Sequence, residues 1–258
     1  MKPRALILHA TGTNRDNDAA LAFELAGALP EIVHINQLRQ RHRLWSDFQI
    51  LVLPGGFSYA DALGAGRLLA LDLLHYFSDE VNFFVEQGKP VIGICNGFQA
   101  LVKSGILPGL EKKSAGHKAE STLTFNASGH FECRWVTLQP VSQKCIWTAG
   151  LNEWITCPVA HGEGNFRLAG GDDGSRLAVQ DQIALVYAHP DGSPAQGQYP
   201  HNPNGSMLDI AGISNARGNV LGLMPHPENH LFVTQHPQRL VQGSGLPLFV
   251  KGVRVASA

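Results

Sequence analysis

The 258-residue sequence predicts an α/β fold: a mostly parallel central sheet flanked by helices, with antiparallel strands added in the second half. In the first half, short apolar runs of strand length alternate with segments whose apolar residues recur at helical spacing. Such alternation is typical of a parallel sheet with helices on both faces. In the second half, strand-like runs follow one another across turns, which favours antiparallel pairing.

Four strands are predicted in the first half, because each is a compact apolar run that ends at a turn signal or a candidate motif. The third ends at Pro54-Gly55-Gly56, and the fourth runs directly into Cys95. The predicted strands are residues 5–9, 31–35, 49–53 and 90–94. Ligands of such sheets bind beyond the carboxyl ends of the strands, so the residues after these strands are candidate site residues.

Three helices are predicted between or after these strands. The first has apolar residues at i, i+4, i+7 and i+8 starting from Leu21, after cap residues in 14–18. The last begins near Phe98 and ends at Gly105. The middle helix has a cap and three residues of an apolar side: Asp61, Leu68, Leu71 and Phe77.

The second half is predicted to consist of strands, turns and one long loop. The segment 191–206 is rich in Gly, Pro, Asn and Gln, which is typical of a loop. The predicted strands are residues 122–125, 130–138, 183–187 and 220–224. No composition marks a linker, so residues 1–258 are predicted to form a single domain, in which the tail at about 236–258 remains unassigned.

Composition argues against several classes of function. The formal net charge is −1 and no run of Lys and Arg occurs, which argues against nucleic acid and anionic membranes as partners. The apolar stretches are shorter than the ~20 residues of a membrane span, and the first is too short for a signal peptide. No two cysteines form a C-x-x-C pair, so we expect a reducing cytoplasm and packing roles for Cys133, Cys145 and Cys157.

Cys95 is the strongest candidate for a nucleophile. It lies in Gly93-Ile94-Cys95-Asn96-Gly97, where a predicted strand enters and a predicted helix leaves. This is the pattern of a nucleophile elbow, whose glycines permit the tight turn. The N–H groups at the start of the following helix favour a thiolate at this position. The alternative is a buried structural cysteine in a Gly-rich turn.

His226 and Glu228 are candidates for a proton-transfer pair. They follow a predicted strand in Pro225-His226-Pro227-Glu228, where the prolines stiffen the loop. A carboxylate two residues from a histidine can fix its tautomer and stabilise the imidazolium. Two alternatives remain open, an ordinary surface turn or a metal site with His230 and His236. The latter lacks the acidic loop or cysteine pair that would complete a ligand set. The other histidines are predicted to be surface or packing residues: His42, His75, His117 and His201.

The loop Leu53-Pro54-Gly55-Gly56-Phe57 is a candidate oxyanion site. Glycines at the end of a strand let backbone N–H groups face a developing negative charge. The alternative is a simple turn between a strand and a helix.

Three motifs together resemble class I glutamine amidotransferases, which have a flavodoxin-like α/β fold. They are PGGFSYAD at 54–61, GICNGFQ at 93–99 and MPHPE at 224–228. Further segments are similar to the glutamine amidotransferase subunits of phosphoribosylformylglycinamidine synthase, an enzyme of purine biosynthesis. They are 12–27, 33–34, 129–135, HGEGNF at 161–166 and 202–213. The resemblance covers roughly residues 5–232.

The resemblance implies roles for individual residues. The catalytic triad would be Cys95, His226 and Glu228. The oxyanion would be held by the N–H groups of Gly56 and Asn96, and glutamine would be bound by four residues: Gly55, Gln99, His161 and Gly162. The sequence departs from the common pattern at Ala60, where a glycine is usual, and 62–66 is closer to the long, fused form of the enzyme.

The resemblance also implies partners. The sequence contains no phosphate-binding G-x-x-x-x-G-K-[ST] loop, so we expect no cofactor or metal in this chain. A large synthetase subunit would bind ATP, Mg²⁺ and formylglycinamide ribonucleotide, and a small bridging subunit would join the complex. Two other readings remain open. One is a γ-glutamyl peptidase or thiol esterase with the same elbow, and the other is a regulatory or assembly subunit that keeps the fold without catalysis.

Overall fold

The computed structural model describes residues 1–109, 120–169 and 174–257. His117 lies outside the described residues. The strands are β1 (Arg4–His9), β2 (Leu29–His34), β3 (Ile50–Leu53), β4 (Val91–Ile94), β5 (Ser121–Thr124), β6 (Glu132–Pro140), β7 (Ile155–His161), β8 (Asn165–Leu168), β9 (Ile183–Ala188), β10 (Ile210–Ser214) and β11 (Val220–Leu223). The α-helices are α1 (Asp16–Leu25), α2 (Ile35–Arg39), α3 (Arg67–His75), α4 (Ser78–Glu86), α5 (Asn96–Lys103), α6 (Ser175–Val179) and α7 (Leu246–Ala256).

Nine strands form one sheet in the order β2-β1-β3-β4-β11-β10-β9-β6-β7, and β5 pairs with β8 separately. The first five strands of this order are parallel to one another. The remaining pairs are antiparallel, so β9 and β7 point in the same direction as the five parallel strands. The predicted fold class is confirmed, with the antiparallel strands contributed by the second half of the chain.

The centre of the sheet is made of β4 and β11, which are fully buried. Their side chains are apolar apart from one glycine each, as expected for strands covered on both faces. Gly222 has no room for a side chain, because a Cβ would lie 2.1 Å from the Phe98 ring on α5. The pairing of Leu223 with Ile94 brings the carboxyl ends of both strands to the same level.

The middle helix predicted from residues 61–77 is wrong in two respects. Two helices, α3 and α4, occupy this region in place of one. Phe77 is the buried N-cap residue of α4, whereas Leu71 of α3 is 41% exposed. Gly66, not Asp61, is the N-cap of α3, and its left-handed backbone (φ 69°) suits a glycine. The Asp61 side chain instead accepts hydrogen bonds from the Gly66 N–H and from Asn96.

Several elements of the second half were not predicted: β7, β8, β10, α6 and α7. In β7, burial alternates between buried and partly buried residues, but Pro158 in its middle weakens the strand signal. The unassigned tail contains α7, which packs on α1 through an edge-to-face contact of Phe249 with Phe23 at 5.4 Å between ring centroids. The long loop at 191–206 contains no helix or strand, as predicted.

The remaining cysteines and histidines divide between core and surface. Cys145 and Cys157 are buried, in agreement with packing roles, whereas Cys133 is exposed on β6 and the prediction of a packing role is wrong for it. His42 and His75 are exposed and His201 is half-buried, as predicted.

Candidate active site

The chain makes a sharp turn at Cys95, between β4 and α5. Cys95 has φ 49° and ψ −104°, a conformation that L-residues adopt only under constraint. The turn needs glycine on both sides, because a Cβ at Gly97 would lie 2.0 Å from the Leu53 oxygen and one at Gly93 would lie 2.5 Å from Leu101. These contacts hold the cysteine at the N-terminus of α5, where the helix dipole favours negative charge.

His226 lies beside this turn because β11 runs parallel to β4. The Cys95 N–H donates to the Leu223 oxygen at 2.8 Å, and three residues later the His226 ring lies next to the cysteine, since a Cβ on Gly55 would be 2.7 Å from His226 Cε1 and 3.5 Å from Cys95 Cβ. The Cys95 thiol donates to the Ala160 oxygen at 3.8 Å. The His226 N–H donates to the Pro158 oxygen of β7 at 2.8 Å, which fixes the loop against the antiparallel part of the sheet. Cys95 is 6% exposed and His226 is 3% exposed, so both are shielded from bulk water.

Glu228 determines the charge of His226. Its Oε1 lies 2.7 Å from His226 Nδ1, and both side chains are buried. Burial by itself lowers the pKa of His226, but the Glu228 carboxylate and the Cys95 side chain outweigh it and raise the pKa to about 10. Burial, together with the Glu228 charge, raises the pKa of the Cys157 thiol, so this second cysteine is held neutral. The arrangement therefore favours an imidazolium at His226.

The segment 55–64, which we call the oxyanion loop, crosses in front of the cysteine. Gly55 packs against the histidine, since a Cβ there would lie 2.7 Å from His226 Cε1. Gly56 has φ 131° and is backed by Asn14, whose nitrogen would lie 2.6 Å from a Cβ. Within the described part of the chain, the backbone N–H groups of Gly56 and Asn96 donate to no protein acceptor. Both are therefore free for an anionic oxygen.

The Asn96 side chain ties the oxyanion loop to the elbow. Its Oδ1 accepts hydrogen bonds from the Ser58 N–H at 3.2 Å and from the Ser58 hydroxyl. Its Nδ2 donates to Asp61 at 2.8 Å and to the Gln99 amide oxygen at 3.1 Å. The loop and the nucleophile are thus joined by the residue that follows the nucleophile.

Three consecutive residues of the oxyanion loop, Tyr59, Ala60 and Asp61, adopt the left-handed conformation with φ between 51° and 55°. This conformation costs a non-glycine residue on the order of 1 kcal/mol or more. A glycine would adopt this backbone at Ala60 without that cost, so the alanine adds strain to a loop that other contacts must hold.

A cavity of about 190 Å³ lies over Cys95. Its polar lining includes Gln99, His161 and Gly162, which were predicted to bind substrate, and also Asp61 and Glu163. Gln99 has its amide occupied by protein groups, since Nε2 donates to the Glu163 oxygen at 2.7 Å. Sequence reasoning missed the two carboxylates, although Asp61 and Glu163 lie inside the quoted motifs PGGFSYAD and HGEGNF.

His161 is a second buried histidine in this cavity, with a different partner. Its Nδ1 lies 3.1 Å from Asn126 Oδ1, which also accepts the Gly164 N–H at 3.0 Å. Because that oxygen is an acceptor, Nδ1 carries the proton and Nε2 is left with a lone pair. Nε2 is buried and has no hydrogen-bond partner among the described residues. Burial, and then the nearby charge of His226, lower the pKa of His161 to about 3, so its ring is neutral.

The three histidines proposed for a metal alternative do not form a common site: His226 Nδ1 faces Glu228, whereas the ring centroids of His230 and His236 lie 5.2 Å apart. His230 Nδ1 lies 2.6 Å from the Thr156 oxygen, and the rings of His230 and His236 pack against Trp135. In residues 1–109, 120–169 and 174–257, no group of three potential ligands is placed to hold a metal ion. In the same ranges, every helix is too short or too polar to span a bilayer.

Comparison with known proteins identifies the family. The profile of the CobB/CobQ-like glutamine amidotransferase domain matches residues 2–254. Phosphoribosylformylglycinamidine synthase subunit PurQ of Treponema denticola is 60% identical over 245 residues, which cover 91% of each chain. The same subunit of Dehalococcoides mccartyi is 44% identical and covers 99% of this chain and 98% of its own length.

A solved structure gives the same result. The structure of PurLQS from Thermotoga maritima contains a chain that superposes with a TM-score of 0.74 at 31% identity, covering 99% of both chains. These matches confirm the resemblance that the sequence motifs predicted. The chain therefore belongs to the glutamine amidotransferase family that includes the PurQ subunits of phosphoribosylformylglycinamidine synthase.

Proposed function

We propose that this chain is the glutaminase subunit of phosphoribosylformylglycinamidine synthase, and that Cys95, His226 and Glu228 are its catalytic triad. The observation that carries the proposal is the buried His226–Glu228 pair against Cys95, facing two unoccupied backbone N–H groups. A nucleophile, a proton carrier, an orienting carboxylate and an oxyanion site are the parts that acyl transfer requires.

In the first half-reaction, the Cys95 thiolate attacks the side-chain carbonyl carbon of glutamine. The carbonyl electron pair moves to oxygen, which accepts hydrogen bonds from the N–H groups of Gly56 and Asn96. The raised pKa keeps His226 as an imidazolium, which gives its proton to the amide nitrogen. The C–N bond then breaks, ammonia leaves, and a γ-glutamyl thioester remains on Cys95.

In the second half-reaction, water attacks the thioester. Neutral His226 accepts the proton of the water, and Glu228 stabilises the imidazolium that forms. The C–S bond breaks, which releases glutamate and regenerates the Cys95 thiolate. Each member of the triad thus returns to its starting charge.

The cavity lining supports recognition of a free amino acid. The carboxylates of Asp61 and Glu163 suit the α-ammonium group, while His161 Nε2 offers an acceptor to a substrate N–H. Burial raises the pKa of Asp61, against the opposing hydrogen bonds from Asn96 and Gly66, so an ammonium group there would favour its ionised form. Gly55 lies behind the histidine, and Gln99 and Gly162 complete the wall.

The remaining parts of the reaction belong to partners. The large synthetase subunit would bind ATP, Mg²⁺ and formylglycinamide ribonucleotide and take up the ammonia, and the small bridging subunit would complete the complex. The chain itself would need no cofactor and would act in the cytoplasm, in purine biosynthesis, as a single domain of residues 1–258.

Glutamate release by the purified chain tests this function, measured alone and with both partner subunits, ATP and formylglycinamide ribonucleotide. We expect weak activity alone, a large rise with partners, and at least a 10³-fold loss in Cys95→Ala. Cys133→Ala, which removes an exposed cysteine, is the matched control and should retain activity. Cys95-dependent cleavage of γ-glutamyl peptides without partner-dependent glutaminase would support the peptidase reading, and no labelling of Cys95 by glutamine analogues would support a non-catalytic subunit.

A further inference from the structure

The oxyanion loop is held from behind by hydrogen bonds to the chain after β1. The Phe57 N–H donates to the Gly12 oxygen at 3.1 Å, and the Tyr59 N–H donates to the Thr11 oxygen at 2.6 Å. On its inner side the loop is held by the Asn96 side chain. These contacts fix the two ends of the strained segment but leave the Tyr59 side chain to be placed by another element.

That element is α3. The Tyr59 hydroxyl donates to Asp72 Oδ2 at 2.5 Å. The other oxygen of Asp72 accepts a hydrogen bond from Arg39, at the end of α2, whose guanidinium also lies 3.8 Å from the Tyr76 ring centroid. The Asp72 side chain is 11% exposed. Its carboxylate is therefore held from both sides, and the Tyr59 side chain is attached to α3.

The hydroxyl of Tyr59 remains a hydrogen-bond donor across the pH range in which the protein works. Burial, and then the hydrogen bond to Asp72, raise the pKa of Tyr59, so it stays protonated over the working pH range. Its backbone lies in the left-handed region, as do those of Ala60 and Asp61. Without the side-chain anchor these residues would relax toward ordinary conformations, and the loop that carries the Gly56 N–H would be held only by its backbone hydrogen bonds to the chain after β1 and by the Asn96 side chain.

We propose that Tyr59 and Asp72 are positioning residues for catalysis: their hydrogen bond, supported by Arg39, holds the left-handed segment and thereby aims the Gly56 N–H at the oxyanion. This inference rests on the proposed function. Neither residue touches the substrate, since the cavity over Cys95 is lined by other residues. The bond should therefore affect the chemical step and not the binding of glutamine.

The test compares Tyr59→Phe, which removes only the hydroxyl, with the unaltered chain in complex with its partner subunits. We expect kcat for glutamine hydrolysis to fall roughly tenfold to a hundredfold, because complete loss of one oxyanion donor costs about 10²–10³. Glutamine binding, measured by calorimetry with Cys95→Ala as the common background, should be unchanged. Asp72→Ala should match Tyr59→Phe, and the double variant should be no worse than either alone.

Tyr76→Phe is the matched control. It removes a tyrosine hydroxyl from the same surface, but its ring remains under Arg39 and its hydroxyl does not bond Asp72. It should retain full kcat. An unchanged kcat in Tyr59→Phe, or a loss that Tyr76→Phe shares, overturns the inference. A parallel loss of kcat and glutamine affinity also overturns it. Absence of Cys95-dependent activity in the unaltered complex would instead overturn the proposed function.

Discussion

The two sides of Cys95 contain the same side chain in opposite states. On one side, burial and Glu228 leave His226 with its pKa raised to about 10. On the other side, His161 is equally buried, but its partner is the neutral amide of Asn126 and its pKa is lowered to about 3. Burial lowers both values. At His226 the Glu228 carboxylate and the Cys95 side chain reverse the effect of desolvation, whereas the amide beside His161 carries no charge and the nearby charge of His226 lowers its pKa further.

This contrast assigns different work to the two rings. The protonated ring can give a proton to departing ammonia, whereas the neutral ring can only accept a hydrogen bond at Nε2. We therefore expect His226 to determine kcat and His161 to determine substrate affinity. Variants that change the partner or the charge of either ring test this contrast.

The largest effect should come from Glu228→Gln, which gives His226 a neutral partner like that of His161. The pKa of His226 should fall, and kcat should drop roughly 10³-fold, since loss of the orienting carboxylate in comparable triads costs up to about 10⁴. Steady-state glutamine hydrolysis and NMR titration of the imidazole measure the two effects. Glu24→Gln, at an exposed position of α1, is the control. A kcat within threefold of the unaltered chain would show that the carboxylate does not set the charge of His226.

The next largest effect is the pH dependence of the free energy of unfolding, to which His226 and His161 contribute at opposite ends of the pH range. The folded-state pKa of His226 lies above its ordinary value of 6.5, so its contribution is complete below pH 6.5 and is lost as pH rises toward 10. The folded-state pKa of His161 lies below 6.5, so its contribution is complete above pH 6.5 and is lost as pH falls toward 3. Each loss, once the titration is complete, should amount to about 5 kcal/mol in the free energy of unfolding.

Urea denaturation from pH 4 to pH 10 measures these losses as differences between variants. His161→Asn should flatten the acid side of the profile alone, and His226→Asn should flatten the alkaline side alone. His42→Asn, at an exposed histidine, should leave both sides unchanged. If both site variants altered the same side, the opposite charge states would be wrong.

The smallest effect should come from His161→Asn in catalysis. Asparagine keeps a donor near the position of Nδ1, facing Asn126, but has no acceptor near the position of Nε2. We expect KM for glutamine to rise roughly tenfold, as for the loss of one hydrogen bond to a substrate, while kcat changes little. His161→Gln, which restores an acceptor near Nε2, is the matched comparison and should have the lower KM. A fall in kcat without a change in KM would give His161 a role in the chemical step.

Local patterns made much of the fold and site predictable. The elbow around Cys95 and the pair His226–Glu228 are each contained in five residues, so their geometry follows from glycine spacing and a stiff loop. Four of the parallel strands, β1, β3, β4 and β11, were visible because both of their faces are buried and their sequences are mostly continuous apolar runs.

What remained hidden depends on contacts between distant residues. The hydrogen bond of Tyr59 to Asp72 joins two residues that no repeating sequence pattern connects. Asp61 is predicted as a helix cap because its hydrogen bond to the Gly66 N–H has no signal in the sequence. The pKa of His161 depends on its burial and on the charge of His226, and its tautomer depends on Asn126, which lies 35 residues away in the chain. The sequence of α7 does not show which element it packs on, because the partner of its apolar face, Phe23 of α1, is distant in the chain.

The place of β11 has a consequence for how this protein is made. Among the described strands of the sheet, β11, which leads to His226, comes last in the chain. It nevertheless lies at the centre of the sheet, between β4 and β10. During synthesis on the ribosome, β4 (Val91–Ile94) has no neighbour on that side until β11 (Val220–Leu223) is made, about 125 residues later. A nascent chain that ends before β11 therefore contains Cys95 but lacks His226, the proton donor. Premature termination should yield no partly active glutaminase.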